Sequence, residues 1–133
     1  MTLNTLSPFL RRVLLADAIV SGATGLLLFL GSGLLVGLMQ LPEAILRPAG
    51  LFLIPYALLV GFVATRVSPP RWAVWAIVVL NVLWAVESIV MLVGGWLTPN
   101  ALGYAFVIAQ AVIVSGFAEA QYVGLRQRVK VVA

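Results

Sequence analysis

Four long apolar segments alternate with short polar stretches along the chain. A membrane-spanning helix needs about 20 mostly apolar residues, because each residue advances the helix by ~1.5 Å and the hydrocarbon core is ~30 Å thick. Residues that end or bend helices (Gly, Pro, Ser) stand between the segments. The pattern predicts an all-α integral membrane four-helix bundle with up-down-up-down topology, with spans at about 13–39, 44–65, 72–96 and 101–122.

The joints between the spans carry recognisable helix signals. Gly31-Ser32-Gly33 is expected to end or bend the first helix. The almost wholly apolar stretch 34–39 either extends that helix at a tilt or lies at the membrane interface. We expect the continuous helix, because glycine is well tolerated in membrane helices. Pro42 is expected to begin the second helix, and Thr98-Pro99 to supply the N-cap and first turn of the fourth.

Composition makes a soluble domain untenable. Of 133 residues, 63% are hydrophobic and 9% are charged, and the mean hydropathy is +1.16. Soluble domains carry about 25% charged residues, so we expect one transmembrane domain covering 1–133. Cysteine and histidine are both absent. This excludes disulfides, thiolate or imidazole metal sites and Ser-His-Asp catalysis. We therefore expect no enzyme activity, no metal and no cofactor.

The basic residues indicate the orientation in the membrane. Seven of the eight fall on one side of the predicted spans, and only Arg47 falls on the other. By the positive-inside rule, both termini are expected in the cytoplasm. No folded basic surface exists for a nucleic acid, so the expected partner of these residues is membrane lipid. The predicted headgroup contacts are Arg11, Arg12, Arg66, Arg71, Arg126, Arg128 and Lys130.

Glu87 is the single ionisable residue between Trp72 and Trp96. A carboxylate is costly in hydrocarbon, so it should face protein or water and have a partner. Helix rise places Glu87, Gln110 and Tyr56 each ~12–13 Å below the outer ends of their spans. Either a neutral Glu87 hydrogen-bonds Gln110 or Tyr56 and holds helices together, or it forms a proton or cation site on a substrate path. The predicted intramembrane polar layer is Glu87, Gln110, Tyr56, Asn81 and Trp84.

A second polar group is expected near the cytoplasmic interface. Asp17, Ser21 and Thr24 share one face of the first span, and antiparallel packing of the first and fourth spans brings Glu119 near them. Arginines lie close in sequence to both acids, which favours an interfacial ion-pair network. The alternative is an inner gate that leads to the Glu87 layer.

Small residues predict the faces through which helices pack. Three such motifs occur in the first span: Ala18-xxx-Gly22, Ser21-xxx-Gly25 and Gly33-xxx-Gly37. In the fourth span, one stripe carries Ala101, Ala105, Ala109, Val112 and Gly116. Small residues let membrane helices approach closely. These faces serve either packing within one copy, which we favour, or homo-oligomerisation.

Two runs carry a family resemblance. LLADAIVSGATGLLLFLGSGLLVGLMQLPEAILRPAGLFLIPYALLVGFVATR and NVLWAVESIVMLVGGWLTPNALGYAFVIAQA resemble small four-helix inner-membrane proteins of proteobacteria, a family without an assigned activity. The resemblance implies four spanning helices and a location in the bacterial inner membrane, and it transfers no functional residues. The chain is also loosely similar to small multidrug-resistance transporters, whose first-span acid would correspond to Asp17. It is longer than those transporters, however, and shares no other motif with them.

Three functions fit these features. The leading hypothesis is a non-catalytic accessory or self-associating subunit of the inner membrane, acting as a homo-oligomer or within a larger membrane complex. The first alternative is a small proton-coupled transporter or channel that uses Glu87 with Asp17 or Glu119. The second is a lipid or quinone pocket lined by Trp84, Tyr56 and Glu87.

Overall fold

The computed structural model describes residues 6–129, and their side chains as far as Arg126. Over this range the chain forms five α-helices and no strand, which confirms the predicted all-α fold. Four of the helices are long and apolar enough to cross a membrane. The helices are α1 (Pro8–Leu30), α2 (Ser32–Met39), α3 (Glu43–Thr65), α4 (Arg71–Val93) and α5 (Ala101–Val129).

The first span is interrupted rather than continuous. α1 ends at Leu30, Gly31 leaves helical geometry (φ −99°, ψ 11°), and α2 follows as a separate short helix. The expectation of one helix over 13–39 is therefore wrong, whereas the break predicted at Gly31 is confirmed. α2 contacts the start of α5, where the backbone and side-chain amides of Asn100 donate to the carbonyls of Met39 (3.1 Å) and Leu38 (2.7 Å).

Capping residues account for two further differences at helix starts. α1 begins five residues before the predicted start, because Ser7 accepts a hydrogen bond from the Leu10 amide (3.1 Å) and Pro8 occupies the first turn. α5 begins at Ala101 as predicted, but its cap is Asn100, whose Oδ1 accepts from the Gly103 amide (2.9 Å). The expectation that Thr98-Pro99 would supply the cap and first turn is therefore wrong.

Helix ends differ for equally local reasons. α4 stops at Val93 rather than at residue 96, because Gly94 and Gly95 form a turn in which Gly95 takes a φ of +80°, a conformation that favours glycine. α5 continues to Val129, seven residues beyond the predicted end of its span. This extension places Gln121 two helical turns inside α5 rather than at its next-to-last residue.

Consecutive spanning helices run antiparallel, and α1 packs most closely on α3. Gly25 and Gly50 face each other across this contact, so that a Cβ built on Gly50 would lie 2.6 Å from the Gly25 carbonyl oxygen. Gly22 meets Ala57 in the same seam. The small residues of α1 thus pack within the chain, as expected, whereas Gly33 and Gly37 of α2 have no neighbouring atom within 4 Å of a built Cβ. The small stripe of α5 remains on the surface, where Val112 is 65% exposed and Gly116 has no neighbouring atom within 4 Å of a built Cβ.

One end of the bundle, here called the terminal end, carries the start of α1, the end of α3 and the start of α4. The opposite end is called the loop end. At the terminal end the Arg11 guanidinium donates to the carbonyls of Ala64 and Arg66, which satisfies acceptors left open where α3 ends. Arg11 is thus engaged with protein, in contrast to the predicted headgroup contact.

The remaining described arginines of the terminal end are exposed, and headgroup contact stays a prediction for them. Arg66 lies 4.1 Å from the ring centroid of Phe62, and Arg126 lies 5.8 Å from that of Tyr122. The side chain of Arg128, and all of Lys130, lie outside the described residues. The exposed arginines of this end are Arg12, Arg66, Arg71 and Arg126.

Gly50→Ala is expected to destabilise the protein by about 1–3 kcal/mol, because the new methyl group would collide with the backbone of α1 at Gly25 and Phe29. Gly33→Ala is the matched control, since a Cβ there meets no atom within 4 Å. Unfolding by sodium dodecyl sulfate in mixed micelles, followed by circular dichroism, measures both. Equal stability of the two variants would contradict the close α1–α3 approach.

Candidate functional site

A buried carboxylate joins all four spanning helices. Asp17 of α1 is 1% exposed. Its Oδ1 accepts a hydrogen bond from the Ser21 hydroxyl (2.9 Å), one turn along the same helix. Its Oδ2 lies within hydrogen-bond distance of Tyr56 Oη of α3 (2.9 Å), Asn81 Nδ2 of α4 (2.9 Å) and Gln121 Nε2 of α5 (2.7 Å). These five residues are called the Asp17 network below.

The Asp17 network lies deep in the bundle. Asp17 and Tyr56 are each nine residues from the terminal end of their helices, and Asn81 is ten, so the network is ~14 Å inside at 1.5 Å per residue. Asp17 lies more than a turn deeper in its helix than predicted, because α1 starts at Pro8. The expectation that Tyr56 joins Glu87 is wrong, because its hydroxyl bonds to Asp17 and Asn81.

Neutral donors, rather than arginines, satisfy the Asp17 carboxylate. The one ion pair among the described side chains joins Arg47 and Glu43 (3.6 Å), and both residues are exposed near the loop end. The predicted ion-pair network of Asp17 and Glu119 is therefore wrong. Hydroxyl and amide groups of four side chains supply the hydrogen bonds that a carboxylate accepts. Glu119 lies elsewhere, in a surface groove between α4 and α5 together with Ser115 and Tyr122.

The Asp17 network has two hydrogen-bond arrangements, which differ by one proton. Tyr56 Oη lies 2.9 Å from Asp17 Oδ2 and 2.8 Å from Asn81 Oδ1, yet a phenol has one proton to donate. With an ionised Asp17, donation to the carboxylate leaves Asn81 Oδ1 without this donor. With a proton on Asp17 Oδ2, the acid donates to Tyr56 and Tyr56 donates to Asn81. The same heavy-atom positions thus accommodate one additional proton.

Two cavities continue from the Asp17 network toward the loop end. The first, called the network cavity, has a volume of about 180 Å³ and is lined in part by Ser21, Tyr56 and Asn81. The second, called the Glu87 cavity, has a volume of about 440 Å³ and is lined in part by Glu87 and Ser88. Both cavities are lined by the same five residues from the four spanning helices: Thr24, Phe52, Trp84, Phe106 and Gln110.

These five shared residues form the boundary between the cavities. Phe52 of α3 stacks on Trp84 of α4, with ring centroids 5.8 Å apart and an interplanar angle of 13°. Trp84 Nε1 donates to Gln110 Oε1 of α5 (2.7 Å), and Gln110 Nε2 donates to the carbonyl of Val107 (2.9 Å). Three of the five boundary residues are aromatic, and the amide side chain of Gln110 is already hydrogen-bonded.

The predicted polar layer divides into three parts in the structure. Tyr56 and Asn81 belong to the Asp17 network, and Trp84 bonds to Gln110. Glu87 is exposed and has no hydrogen-bond or ion-pair partner within the described part of the chain. Helical rotation explains the division, because six residues at ~100° each place Glu87 about 120° around α4 from Asn81.

The predicted cytoplasmic-side cluster is also rearranged. Asp17 and Ser21 are bonded as neighbours. Thr24 instead lines both cavities, and Glu119 lies in the α4–α5 groove. Gln121, 0% exposed, was not predicted. A signal existed, since Gln121 follows Gln110 by eleven residues, which is close to three helical turns and places both amides on one stripe of α5.

Comparison with known proteins yields no relative. No protein-family model matches the sequence, and neither a curated protein nor a solved structure is significantly similar to it. The resemblance to small proteobacterial inner-membrane proteins therefore stays a prediction. The described geometry defines a chain with four helices of membrane-spanning length, a buried polar network and two adjoining cavities.

Ser21→Ala is expected to lower stability by about 1–3 kcal/mol, because it leaves the buried Oδ1 of Asp17 without its hydrogen bond. Ser88→Ala is the matched control, since that hydroxyl also bonds four residues back but to the backbone carbonyl of Trp84 (2.8 Å). Dodecyl sulfate unfolding, followed by circular dichroism, measures both. A cost for Ser88→Ala as large as that for Ser21→Ala would contradict the central position of Asp17.

Proposed function

We propose that the protein is a non-catalytic membrane protein that binds a small lipophilic molecule in the Glu87 cavity. The volume of this cavity carries the proposal. At about 440 Å³ it lies within the ~300–1,000 Å³ typical of small-molecule sites. Apolar side chains provide most of its wall, and few polar groups interrupt them. The buried apolar lining is Leu28, Leu41, Leu46, Leu97 and Val107.

The position of the opening supports entry from the bilayer. Phe52 on α3 and Glu87 on α4 both line the cavity and are both exposed, so the cavity reaches the surface between these two helices. α3 and α4 touch little, and their side-chain contacts include the Phe52–Trp84 stack and the Tyr56–Asn81 hydrogen bond. A guest dissolved in lipid therefore meets the opening directly.

The polar groups of the Glu87 cavity fall into two sets. Gln110 and Thr24 lie at the boundary with the network cavity, whereas Ser88 and Glu87 lie on α4. Such a wall, apolar with a few polar groups, orients a guest that has one polar end. This arrangement favours the pocket hypothesis over proton-coupled transport through Glu87, because aromatic residues lie between Glu87 and the Asp17 network.

A neutral fluorescent lipophile tests the pocket. In a variant whose only tryptophan is Trp84 (Trp72, Trp75 and Trp96 replaced by Phe), diphenylhexatriene in phosphatidylcholine nanodiscs should show saturable energy transfer from Trp84, which lines both cavities. Ala49→Phe should abolish the saturable component, because Ala49 lines the Glu87 cavity and phenylalanine would fill it.

Two further variants distinguish loss of binding caused by filling the Glu87 cavity from loss of binding caused by misfolding. Ala44→Phe fills the same cavity from an exposed position and should have the same effect. Ala105→Phe places the same side chain on the exposed face of α5, outside both cavities, and should leave binding intact. Transfer that never saturates, or saturates alike in all three variants with circular dichroism unchanged, would refute the pocket.

Lateral association is the second candidate, and the exposed small-residue stripe of α5 supports it. Gly116 lies open on this stripe, so Gly116→Phe should leave the isolated fold intact but block close helix contact. Mass photometry in mild detergent should show a smaller particle than for the wild type. Gly33→Phe, at another open glycine, is the control. A wild-type particle that is already monomeric would refute association through this face.

A further inference from the structure

The Glu87 carboxyl group has no hydrogen-bond or ion-pair partner among the described residues. The other three acids are accounted for differently: Glu43 pairs with Arg47, Asp17 accepts hydrogen bonds from four side chains, and Glu119 lies in a separate groove. No lysine or arginine lines either cavity among the side chains described up to Arg126. A carboxylate at membrane depth requires a partner, and the open side of the cavity is where an external partner has access.

Aromatic side chains surround the same space. Phe52, Trp84 and Phe106 all line the Glu87 cavity. The face of an aromatic ring carries negative electrostatic potential, so it attracts cations within ~6 Å of its centroid. A carboxylate and several aromatic rings on one apolar cavity together attract an ammonium group and disfavour an anion.

We infer that the Glu87 cavity selects lipophilic ammonium cations, with the charged group beside Glu87 and the aromatic rings and the apolar part among the buried leucines. This inference rests on the proposed pocket and names its class of guest. The occupant is a free lipophilic amine rather than a phospholipid headgroup, because a molecule with two acyl chains is larger than a cavity of about 440 Å³.

Three probes of one shape and different charge test the selectivity. Diphenylhexatriene is neutral, its trimethylammonium derivative is a cation, and its propionic acid derivative is an anion at neutral pH. In the Trp84-only protein, the cation should bind about tenfold more tightly than the neutral probe, since an exposed ion pair and a cation–π contact together amount to about one decade. The anion should bind more weakly than the neutral probe.

Glu87→Gln should reduce the preference for the cation over the neutral probe to about twofold, because glutamine has the size of glutamate but no acidic group. Glu119→Gln is the matched control, since it removes an exposed acid that lines neither cavity. It should retain the full preference. If Glu119→Gln has the same effect as Glu87→Gln, the preference reflects cation accumulation at the surface and the inference is overturned.

The remaining outcomes separate the inference from the pocket itself. Equal affinities of the wild type for all three probes would overturn the charge selectivity and leave the pocket in place. No saturable binding of any probe would overturn both. Repetition in uncharged galactolipid nanodiscs tests the lipid alternative. An unchanged cation affinity supports a free amine, whereas a tenfold rise on removal of choline lipid identifies the headgroup as the occupant and overturns the assignment.

Discussion

The buried carboxylate of Asp17 is the constraint around which the bundle is arranged. In a medium without water, an isolated carboxylate costs several kcal/mol, and each donor that reaches it reduces that cost. One donor comes from its own helix and one from each of the other three spanning helices. The helices are therefore held at one rotation and one depth relative to each other. Apolar packing alone specifies such a register weakly, because lipid chains are as apolar as leucine.

The seam between α1 and α3 and the cleft between α3 and α4 are complementary. Glycines bring α1 and α3 to backbone contact on one side of α3. On its other side, α3 is held to α4 by an aromatic stack and one hydrogen bond and leaves open space toward the loop end. Tight packing on one side of a helix thus coexists with a cavity on the other, and the rigid side fixes the position of the cavity wall.

The spanning helices were predictable from the sequence because length and hydropathy determine them. The hydrogen-bond partners of the polar residues were less predictable. A one-turn error at the start of α1 changed the predicted depth of Asp17, and a helical rotation of about 120° separated Glu87 from Asn81. Periodicity places residues on a face of their own helix but does not fix the rotation of that helix toward its neighbours. Gln121 was missed because the predicted span ended beside it, although its spacing from Gln110 marked the same stripe.

The sparse contact between α3 and α4 has a consequence for the concentration scale on which occupancy of the Glu87 cavity is measured. A site that opens sideways into lipid equilibrates with solute dissolved in the bilayer, so its saturation follows mole fraction in the membrane. Two compounds of equal intrinsic affinity would then differ in apparent potency by the ratio of their partition coefficients. Dose–response comparisons based on aqueous concentration would rank such compounds by lipophilicity. Comparisons based on concentration in the membrane would rank them by affinity for the site.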